Sequence, residues 1–320
     1  MDQKLTAVPG EAPSPLERLV DDYLGYCRGQ GISRRTLNAY EFPLRRVLLP
    51  WAGRAGISRV EELDRRTLDR YAAELHVGNP VTGRLLSRDT VHSYLRPLRQ
   101  LLKWAAVEGE TVPATPKLPP LKRRLLEVLS LEEIDALEDA ATTERDKLII
   151  RLLADTGMRV GELVQLRGQD FRSRDRYHEI FVQGKGDRDR LLPITVALHR
   201  RVERFVTRTR PDDGHSDRLF LSLRRSHRLG VYEPLTVSGV EQLVRIAGDR
   251  AGTRNAGERC HPHMLRHSFV TNALRRGMSP LVVKQFAGHT SLRMIDQVYS
   301  HLTTADAHEE LLRMLSRPQP

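Results

Sequence analysis

Three side chains towards the C-terminal end of the chain have the residue types and the spacing of a phosphate-binding site. His263, Arg266 and His267 occupy positions i, i+3 and i+4, so a helix carries them on one face. A Gly-His pair and a tyrosine follow further along the chain, as Gly288, His289 and Tyr299. A helix face that packs into a hydrophobic core would not carry two histidines and an arginine together. A site that holds and cleaves a phosphodiester, by contrast, needs cations, proton carriers and a nucleophile.

The same residues have more ordinary explanations. A zinc site is the main alternative for the histidines, because four candidate ligands lie close together, at Cys260, His261, His263 and His267. Pro262 and the short spacing crowd these ligands, however, and Arg266 would add a positive charge beside the metal. For Tyr299, the alternative is a core aromatic residue on the last helix.

Two more candidates lie upstream. Arg159 and Glu162 are three residues apart at a helix start, so the carboxylate is placed to orient the guanidinium, although a surface ion pair explains the same spacing. Lys185 lies in a glycine-containing turn between two predicted strands, where a solvated hairpin lysine is the alternative. The turn is not a P-loop, because no Gly-Lys-Ser/Thr opens a helix there.

The composition predicts a polyanionic partner. The net charge is +11 and the isoelectric point is near 10.0, and much of the basic excess is arginine, which suits bidentate phosphate contacts. Because only 5% of residues are aromatic, the sequence favours duplex nucleic acid over single strands stacked on aromatic rings. A basic surface without a specific partner is the alternative.

Cysteine usage and hydropathy predict a cytoplasmic protein. Cys27 and Cys260 are far apart in the sequence and form no disulfide framework. No apolar run reaches the ~18 residues of a membrane span. Residues 1–14 lack the apolar core of a signal peptide and are interpreted as a flexible leader.

The front half of the chain is predicted to be helical. Residues 15–110 should form a bundle of four or five short helices. Helix starts are indicated at Pro15, Ser33, Asp64 and Ser87. Pro43 should kink or split the second helix. Residues 111–127 are rich in proline and basic residues, so we expect a semi-rigid interdomain linker there.

Residues 128–303 are predicted to combine helices with a small β-sheet. Helices are expected over 130–141, 146–154, 195–210 and 236–250. Two strands are expected at HEIFVQ (178–183) and RLLPI (190–194). The segment RNAGER (254–259) is predicted to be an exposed loop before the helix that carries His263. The chain is therefore expected to be mainly α, with a helical-bundle domain and an α+β domain.

Basic side chains at or near helix starts and in the linker are candidates for phosphate contacts. They are Arg34, Arg35, Arg45, Arg88, Arg96, Arg99, Lys122 and Arg123. A solvated helix face explains any one of them, whereas their repetition fits duplex binding better.

Several of these segments together resemble the tyrosine recombinase family. HPHMLRH resembles the family's His-x-x-Arg signature, and AGHTSL followed by Tyr299 resembles its Gly-His and nucleophile boxes. TGMRVGEL resembles the first-arginine box and VQGKGDRDRLLPI the lysine hairpin. The resemblance covers residues 128–302, and the helical front half resembles the family's core-binding domain. His289 and Tyr299 are separated by one residue more than is commonest in the family.

The resemblance implies the central chemistry. Arg159 and Arg266 would clamp the nonbridging oxygens of the scissile phosphate. Tyr299 would attack the phosphorus, giving a covalent 3′-phosphotyrosine and a free 5′-hydroxyl. The bond energy is kept in that linkage, so a second DNA 5′-hydroxyl can reverse the reaction. Neither ATP nor a metal is implied, and no cofactor is expected.

The resemblance also implies supporting roles in DNA cleavage for the other residues of these motifs. His263 would accept the tyrosine proton, and Lys185 would act as general acid for the 5′-oxygen. His289 would hydrogen-bond the scissile phosphate. Glu162 would support the arginines, and His267 would be a packing residue behind them.

The resemblance further implies an assembly on DNA. Residues 304–320 would form a tail helix that packs against the next protomer, giving a tetramer on two duplexes, with docking on its own domain as the alternative. The expected partners are double-stranded DNA with a specific recombination site, a second copy of the chain, and either a paralogous recombinase or an accessory protein. The protein would then be associated with the nucleoid.

The predicted function is site-specific DNA recombination on a two-domain, Xer-like plan. Integration, excision, resolution and transposition are all compatible with the sequence. Two alternatives stay open: an enzyme like type IB topoisomerases, which relaxes DNA as a monomer, and a DNA-binding module without catalysis.

Overall fold

A computed structural model describes residues 12–121, 128–175, 177–184, 189–212, 214–255 and 258–288. The chain divides into two compact units, Met1–Arg123 and Arg124–Pro320. The fold is mainly α-helical with a small β-sheet in the second unit, which confirms the predicted fold class. None of the helices within these described ranges has both the length and the apolar character needed to cross a membrane.

The first unit is a helical bundle whose helices begin where the capping residues indicate. Its α-helices are α1 (Pro15–Gly29), α2 (Arg34–Glu41), α3 (Leu49–Arg54), α4 (Arg65–Val77) and α5 (Arg88–Val107). The side chains of Ser33, Asp64 and Ser87 each accept a hydrogen bond from the backbone N–H three residues later. These bonds satisfy N–H groups that have no partner inside the helix.

Pro43 disturbs the second helix without ending it. Between α2 and α3 the chain widens into a π-helix over Phe42–Leu48, with Pro43 buried at its start. A proline lacks the N–H that an α-helical turn needs, and the wider turn accommodates that loss. The predicted kink therefore takes the form of a local change of helix type.

The core of the first unit is built mainly from leucine, valine and aromatic side chains of α1, α3, α4, α5 and the π-helix, and partly buried side chains of α2 pack against it. The rings of Trp51 and Tyr71 lie 4.7 Å apart between centroids, and the Trp51 indole N–H donates to Glu74 at 2.7 Å. Three side chains of the proline-rich stretch after α5 also pack against this core, namely Val112, Ala114 and Leu118. The described part of the predicted linker is thus attached to the first unit.

The second unit surrounds a three-stranded antiparallel sheet with helices. Its elements are α6 (Leu131–Asp139), α7 (Glu144–Thr156), α8 (Val160–Leu163), β1 (Phe171–Arg174), β2 (Tyr177–Val182), β3 (Arg190–Ile194), α9 (Val196–Arg208), α10 (Val237–Ala251), β4 (Arg254–Asn255), β5 (Glu258–Arg259), α11 (Pro262–Arg275) and α12 (Pro280–Ala287). The order in the sheet is β1-β2-β3, and Ile180 of β2 is aligned with Phe171 on one side and Leu192 on the other.

Two local predictions for this unit need correction. The strand β1 is absent from the predicted strands, because its sequence FRSR is too polar to show the alternation of a half-buried strand. The loop predicted over RNAGER is wrong, since β4 and β5 pair as a short antiparallel hairpin.

Helix α7 lies at the centre of the second unit. Its apolar residues Leu148, Ile149, Ile150, Leu152 and Leu153 are all fully buried. Helices α6, α9 and α11 pack around it. A buried hydroxyl, Ser268 of α11, accepts the Leu129 N–H at 2.7 Å and donates to the carbonyl of Met264 at 2.8 Å, which fixes α11 to the start of the unit.

The turn after α7 depends on a glycine. Gly157 ends the helix in the left-handed region, with φ of 61°. A Cβ built on Gly157 would overlap the ring of Phe269 on α11, lying only 2.8 Å from its Cγ. The turn therefore tolerates neither a side chain nor the backbone strain that a side chain brings. Two residues later the chain reaches Arg159.

The clash with Phe269 can be separated from the backbone strain by comparing two glycines. Gly252 ends α10 with nearly the same φ, 66°, but has open space around it. Gly252→Ala should lower the free energy of unfolding by about 1–2 kcal/mol through left-handed strain. Gly157→Ala should cost about 1–3 kcal/mol more, because Phe269 must also move. Urea unfolding of both variants checks this, and equal losses of stability would contradict it.

Candidate active site

The structure describes five of the eight residues predicted for the site. Arg159, Glu162, His263, Arg266 and His267 lie within the described ranges. Lys185, His289 and Tyr299 lie outside them, as do Lys122 and Arg123 of the predicted DNA contacts and the tail over 304–320. The described part of the site therefore consists of arginines, a glutamate and the α11 histidines.

Arg159 and Glu162 form the predicted pair at the start of α8. The Arg159 backbone N–H donates to Glu162 Oε2 at 2.7 Å, and its Nη1 donates to Oε1 at 2.9 Å. The carboxylate thus caps the helix and orients the side chain that precedes it. The Arg159 side chain is 42% exposed, whereas that of Glu162 is 10% exposed. The guanidinium consequently keeps a face towards solvent.

A second arginine, Arg190, grips the same carboxylate and is missing from the residues predicted from sequence. Its Nη1 and Nη2 donate to Glu162 Oε1 and Oε2 at 2.9 and 2.7 Å, a two-pronged pair, and its side chain is only 7% exposed. The sequence does contain a pattern that could have identified Arg190, because this residue lies two positions before Leu192, which is buried on β3. Residues i and i+2 share a face of a strand, so the pattern indicates that Arg190 points inwards.

Arg266 is buried at the centre of the cluster, with a relative exposure of 4%. Its Nη1 and Nη2 donate to the carbonyls of Gly157 and Ala287. Burial lowers the pKa of Arg266 to about 9, and the neighbouring positive charge of Arg159 acts in the same direction. The group still carries its charge at neutral pH.

Three consecutive carbonyls at the end of α12 are each bound by a different arginine. Arg190 Nε donates to the carbonyl of Phe286 at 2.8 Å, Arg266 Nη2 donates to that of Ala287, and Arg159 Nη2 donates to that of Gly288 at 2.5 Å. Carbonyls at a helix C-terminus lack intrahelical partners and carry partial negative charge, so cations are favoured there. The next residue in the chain is His289.

Gly288 is required by this arrangement. It caps α12 in the left-handed region, with φ of 61°. A Cβ at this position would lie 2.9 Å from Nη1 of Arg190 and 3.2 Å from Nη1 of Arg159. The glycine of the Gly-His pair therefore lets two guanidinium groups pass close to the backbone.

The cluster is cationic overall. Burial by itself would raise the pKa of Glu162, but the hydrogen bonds from Arg190 and Arg159 outweigh it, and the pKa lies below its ordinary value. One carboxylate therefore faces three guanidinium groups. Because Glu162 does not neutralise all of them, the cluster is suited to an anion such as a phosphodiester.

The two predicted histidines of α11 differ in their surroundings. His263 is exposed and lines a pocket of about 520 Å³ together with Glu241 and His261. Partial desolvation, His261 and Arg266 lower the pKa of His263 below its ordinary value. Burial and then His263 lower the pKa of His267 to about 4. Both imidazoles are therefore neutral at pH 7, and His263 has an open side from which to accept a proton.

The zinc alternative finds no support in the part of the chain that the structure describes. No three His, Cys, Asp or Glu side chains are grouped there as metal ligands. The Cys260 thiol donates to the carbonyl of Thr253 at 3.2 Å. His261 accepts the Met264 N–H at 3.2 Å and thereby caps α11.

Four of the basic residues predicted to contact DNA are exposed on the first unit. Arg34 and Arg35 are the first two residues of α2, and Arg88 is the first residue of α5. Arg96 is exposed further along α5. Positive side chains at these positions are available for contact with an anion.

The two remaining described arginines are less available. Arg45 pairs with Asp21 at 2.9 Å and with Glu41 at 3.4 Å, and Arg99 is half-buried on α5. An exposed ion pair is weak, so phosphate is able to compete for Arg45, but only by displacing its carboxylates.

Comparison with known proteins identifies relatives of this chain. A model of the phage integrase family matches residues 127–306. The tyrosine recombinase XerD of Mycobacterium tuberculosis H37Rv is 30% identical over 86% of this chain and 89% of its own length. XerD of Corynebacterium glutamicum is 29% identical over 89% of this chain and 92% of its own.

Solved structures share the fold. The XerH site-specific recombinase bound to a palindromic difH substrate, in a post-cleavage complex, superposes with a TM-score of 0.73 at 20% identity, covering 94% of this chain and 97% of that one. A lambda integrase tetramer bound to a Holliday junction gives 0.67 at 19% identity, covering 88% and 76%. The match to the family model and the relatedness to XerD place the chain by sequence, and the superpositions place it by fold. The chain belongs to the phage integrase family, the tyrosine recombinases, which are enzymes that cleave and rejoin DNA.

Proposed function

We propose that this protein performs site-specific recombination by forming a covalent link between Tyr299 and a DNA 3′-phosphate. The observation that carries the proposal is the cationic cluster of Arg159, Arg190 and Arg266, held at the end of α12 immediately before His289. A phosphodiester under attack gains negative charge on its nonbridging oxygens, and fixed guanidinium donors stabilise that charge without moving.

The proposed cleavage step is a direct displacement at the phosphorus atom. The Tyr299 hydroxyl loses its proton to His263 while its oxygen attacks the phosphorus. The bond between phosphorus and the 5′-oxygen breaks, and Lys185 protonates the leaving oxygen to give a free 5′-hydroxyl. Arg159, Arg266 and His289 hold the nonbridging oxygens. Attack by a 5′-hydroxyl of a second strand reverses the step and joins two different DNA ends.

The state of His263 supports its role as proton acceptor. A tyrosine has an ordinary pKa of ~10, so it needs a base to react at neutral pH. Because the pKa of His263 is lowered, its imidazole is neutral and able to accept the proton. His267 lies behind it, with ring centroids 6.4 Å apart, and is proposed to fix its orientation by contact.

We further propose that the enzyme acts as a tetramer on two duplexes that carry its recombination site. The tail over 304–320 would join each protomer to the next, and a truncation after residue 303 that leaves synapsis unchanged would instead favour docking of the tail on its own domain. A lambda integrase of the same fold has been solved as a tetramer bound to a Holliday junction. A paralogue or an accessory protein would act at the level of this assembly.

Covalent attachment is tested with a nicked suicide duplex that carries the native site. Wild-type protein should form an adduct that survives a denaturing gel, and Tyr299→Phe should bind the duplex but form none, because it lacks the nucleophilic oxygen. Binding without an adduct in the wild type would favour the DNA-binding module instead. Relaxation of a supercoiled plasmid by monomers, without exchange between two sites, would favour the topoisomerase alternative.

The pH dependence of cleavage tests His263. Its pKa lies below the ordinary histidine value of 6.5, so the base is neutral above that pH and becomes protonated below it. The cleavage rate at saturating DNA should stay flat from pH ~8 to about 6.5 and fall at lower pH. His263→Ala should lower the rate by about 10²-fold or more and remove the acid-side fall. A fall that persists in His263→Ala would assign the titration to another group.

The salt dependence of DNA binding tests the first unit. Replacing Arg34 and Arg35 by alanine should weaken binding and reduce the slope of log affinity against log salt by about 1 for each phosphate that the protein no longer neutralises. Arg45→Ala is the matched control, because its charge is already paired with Asp21 and Glu41. It should change the slope by less than half of the change in the double variant. Equal changes for each arginine removed would show that the carboxylates do not shield Arg45 from DNA.

A further inference from the structure

We propose that Arg190 is a positioning residue of this active site, which holds Glu162 and the end of α12 so that Arg159 meets the scissile phosphate in a fixed orientation. The inference rests on the proposed function for the identity of the bound group. Arg190 itself is buried and need not touch DNA.

The contacts of Arg190 join three separate elements. Two of its nitrogens hold both oxygens of Glu162 on α8, and the third holds the carbonyl of Phe286 on α12. Arg190 is itself the first residue of β3. The guanidinium is planar and rigid, so its three bonds fix the spacing between β3, α8 and α12 in a way that a lysine does not reproduce.

The effect of Arg190 on Arg159 is carried through two shared partners. Glu162 Oε1 accepts from Nη1 of both arginines at 2.9 Å. Gly288, whose carbonyl accepts from Arg159, leaves room for both guanidinium groups. If Arg190 is removed, Glu162 loses its bidentate partner and the carbonyl of Phe286 loses its donor. Arg159 then faces a carboxylate and a helix end that are both free to shift.

Arg190 also determines the charge that Arg159 experiences. Without it, the charge of Glu162 falls on Arg159 alone, and a tighter pair of those two groups would compete with phosphate. With Arg190 present, the carboxylate is shared and Arg159 keeps its exposed face. Loss of Arg190 is therefore expected to harm the reacting complex more than it harms binding of the DNA duplex.

The central test compares Arg190→Met with a matched buried arginine. Arg145 is 8% exposed, donates to the carbonyl of Leu221 at 2.7 Å and pairs with Asp146. Among the site residues that the structure describes, none is bonded to Arg145. Arg145→Met therefore reports the cost of losing a buried arginine as such. Arg190→Lys is the third variant, since it keeps the charge and the chain length but loses the planar fork.

Cleavage of the suicide duplex at saturating DNA is the first readout. Arg190→Met should slow the first-order cleavage rate by about 10²-fold, with little change in the dissociation constant for DNA. Arg190→Lys should recover part of that loss, and Arg145→Met should cleave at the wild-type rate at temperatures where it is folded. An Arg190→Met protein that loses stability like Arg145→Met but keeps its cleavage rate would overturn the proposal. So would a loss confined to DNA affinity.

A double-mutant cycle tests the route through Glu162. If Arg190 acts through that carboxylate, Arg190→Lys should change the cleavage rate much less in a Glu162→Gln protein than in the wild type. Additive effects on the rate would mean that Arg190 works independently of Glu162. Because Arg190→Lys retains the charge, the cycle remains informative if Arg190→Met does not fold.

A readout without DNA separates this proposal from the proposed function. The side-chain nitrogen signals of Arg159 in NMR report how freely its guanidinium rotates and exchanges with solvent. Arg190→Met and Arg190→Lys should both speed that motion, whereas Arg145→Met should leave it unchanged. If the wild type forms no covalent adduct, the proposed function fails, yet this measurement still decides whether Arg190 positions Arg159. Unchanged Arg159 signals in both Arg190 variants would overturn the inference.

Discussion

The buried carboxylate of Glu162 is shared between the guanidinium groups of Arg159 and Arg190, and the rest of the candidate site depends on that sharing. A carboxylate at this depth is costly unless it is paired, and two arginines this close repel each other unless an anion lies between them. The carboxylate therefore reduces the repulsion between the two guanidinium groups, and they offset the cost of burying the carboxylate. Because the three residues come from α8 and β3, their mutual need fixes the sheet against the start of the helix.

The same constraint extends to the end of α12. Its last carbonyls are bound by arginines from three different elements, so the backbone just before His289 is defined by side chains far away in sequence. Behind them, the close approach of Gly157 to Phe269 holds the turn after α7 against α11. The buried hydroxyl of Ser268 anchors α11 in turn. The site is therefore continuous with the hydrophobic core of the second unit and inherits its rigidity.

Local patterns are predictable from this sequence, and long-range ones are not. The pairing of Arg159 with Glu162 follows from a spacing of three residues at a helix start, and helix caps follow from single residue types. The role of Arg190 escapes prediction because its partners are distant in the sequence, so that role arises only when β3, α8 and α12 meet. The strand β1 carries almost no apolar signal, and the change of helix type at Pro43 depends on the surrounding bundle. For Lys185, His289 and Tyr299, only the family resemblance and the order of the motifs support the proposed roles.

The bonds from the arginines to backbone carbonyls have a thermodynamic consequence for the reaction. A cation surrounded by water must reorient many dipoles each time charge moves, and that reorganisation adds to the activation barrier. The dipoles around Arg266 are instead peptide groups of Gly157 and Ala287, already pointing at the guanidinium before any phosphate arrives. The free-energy cost of orienting dipoles around the cation is thus met once, when the protein folds, and does not recur at each strand exchange.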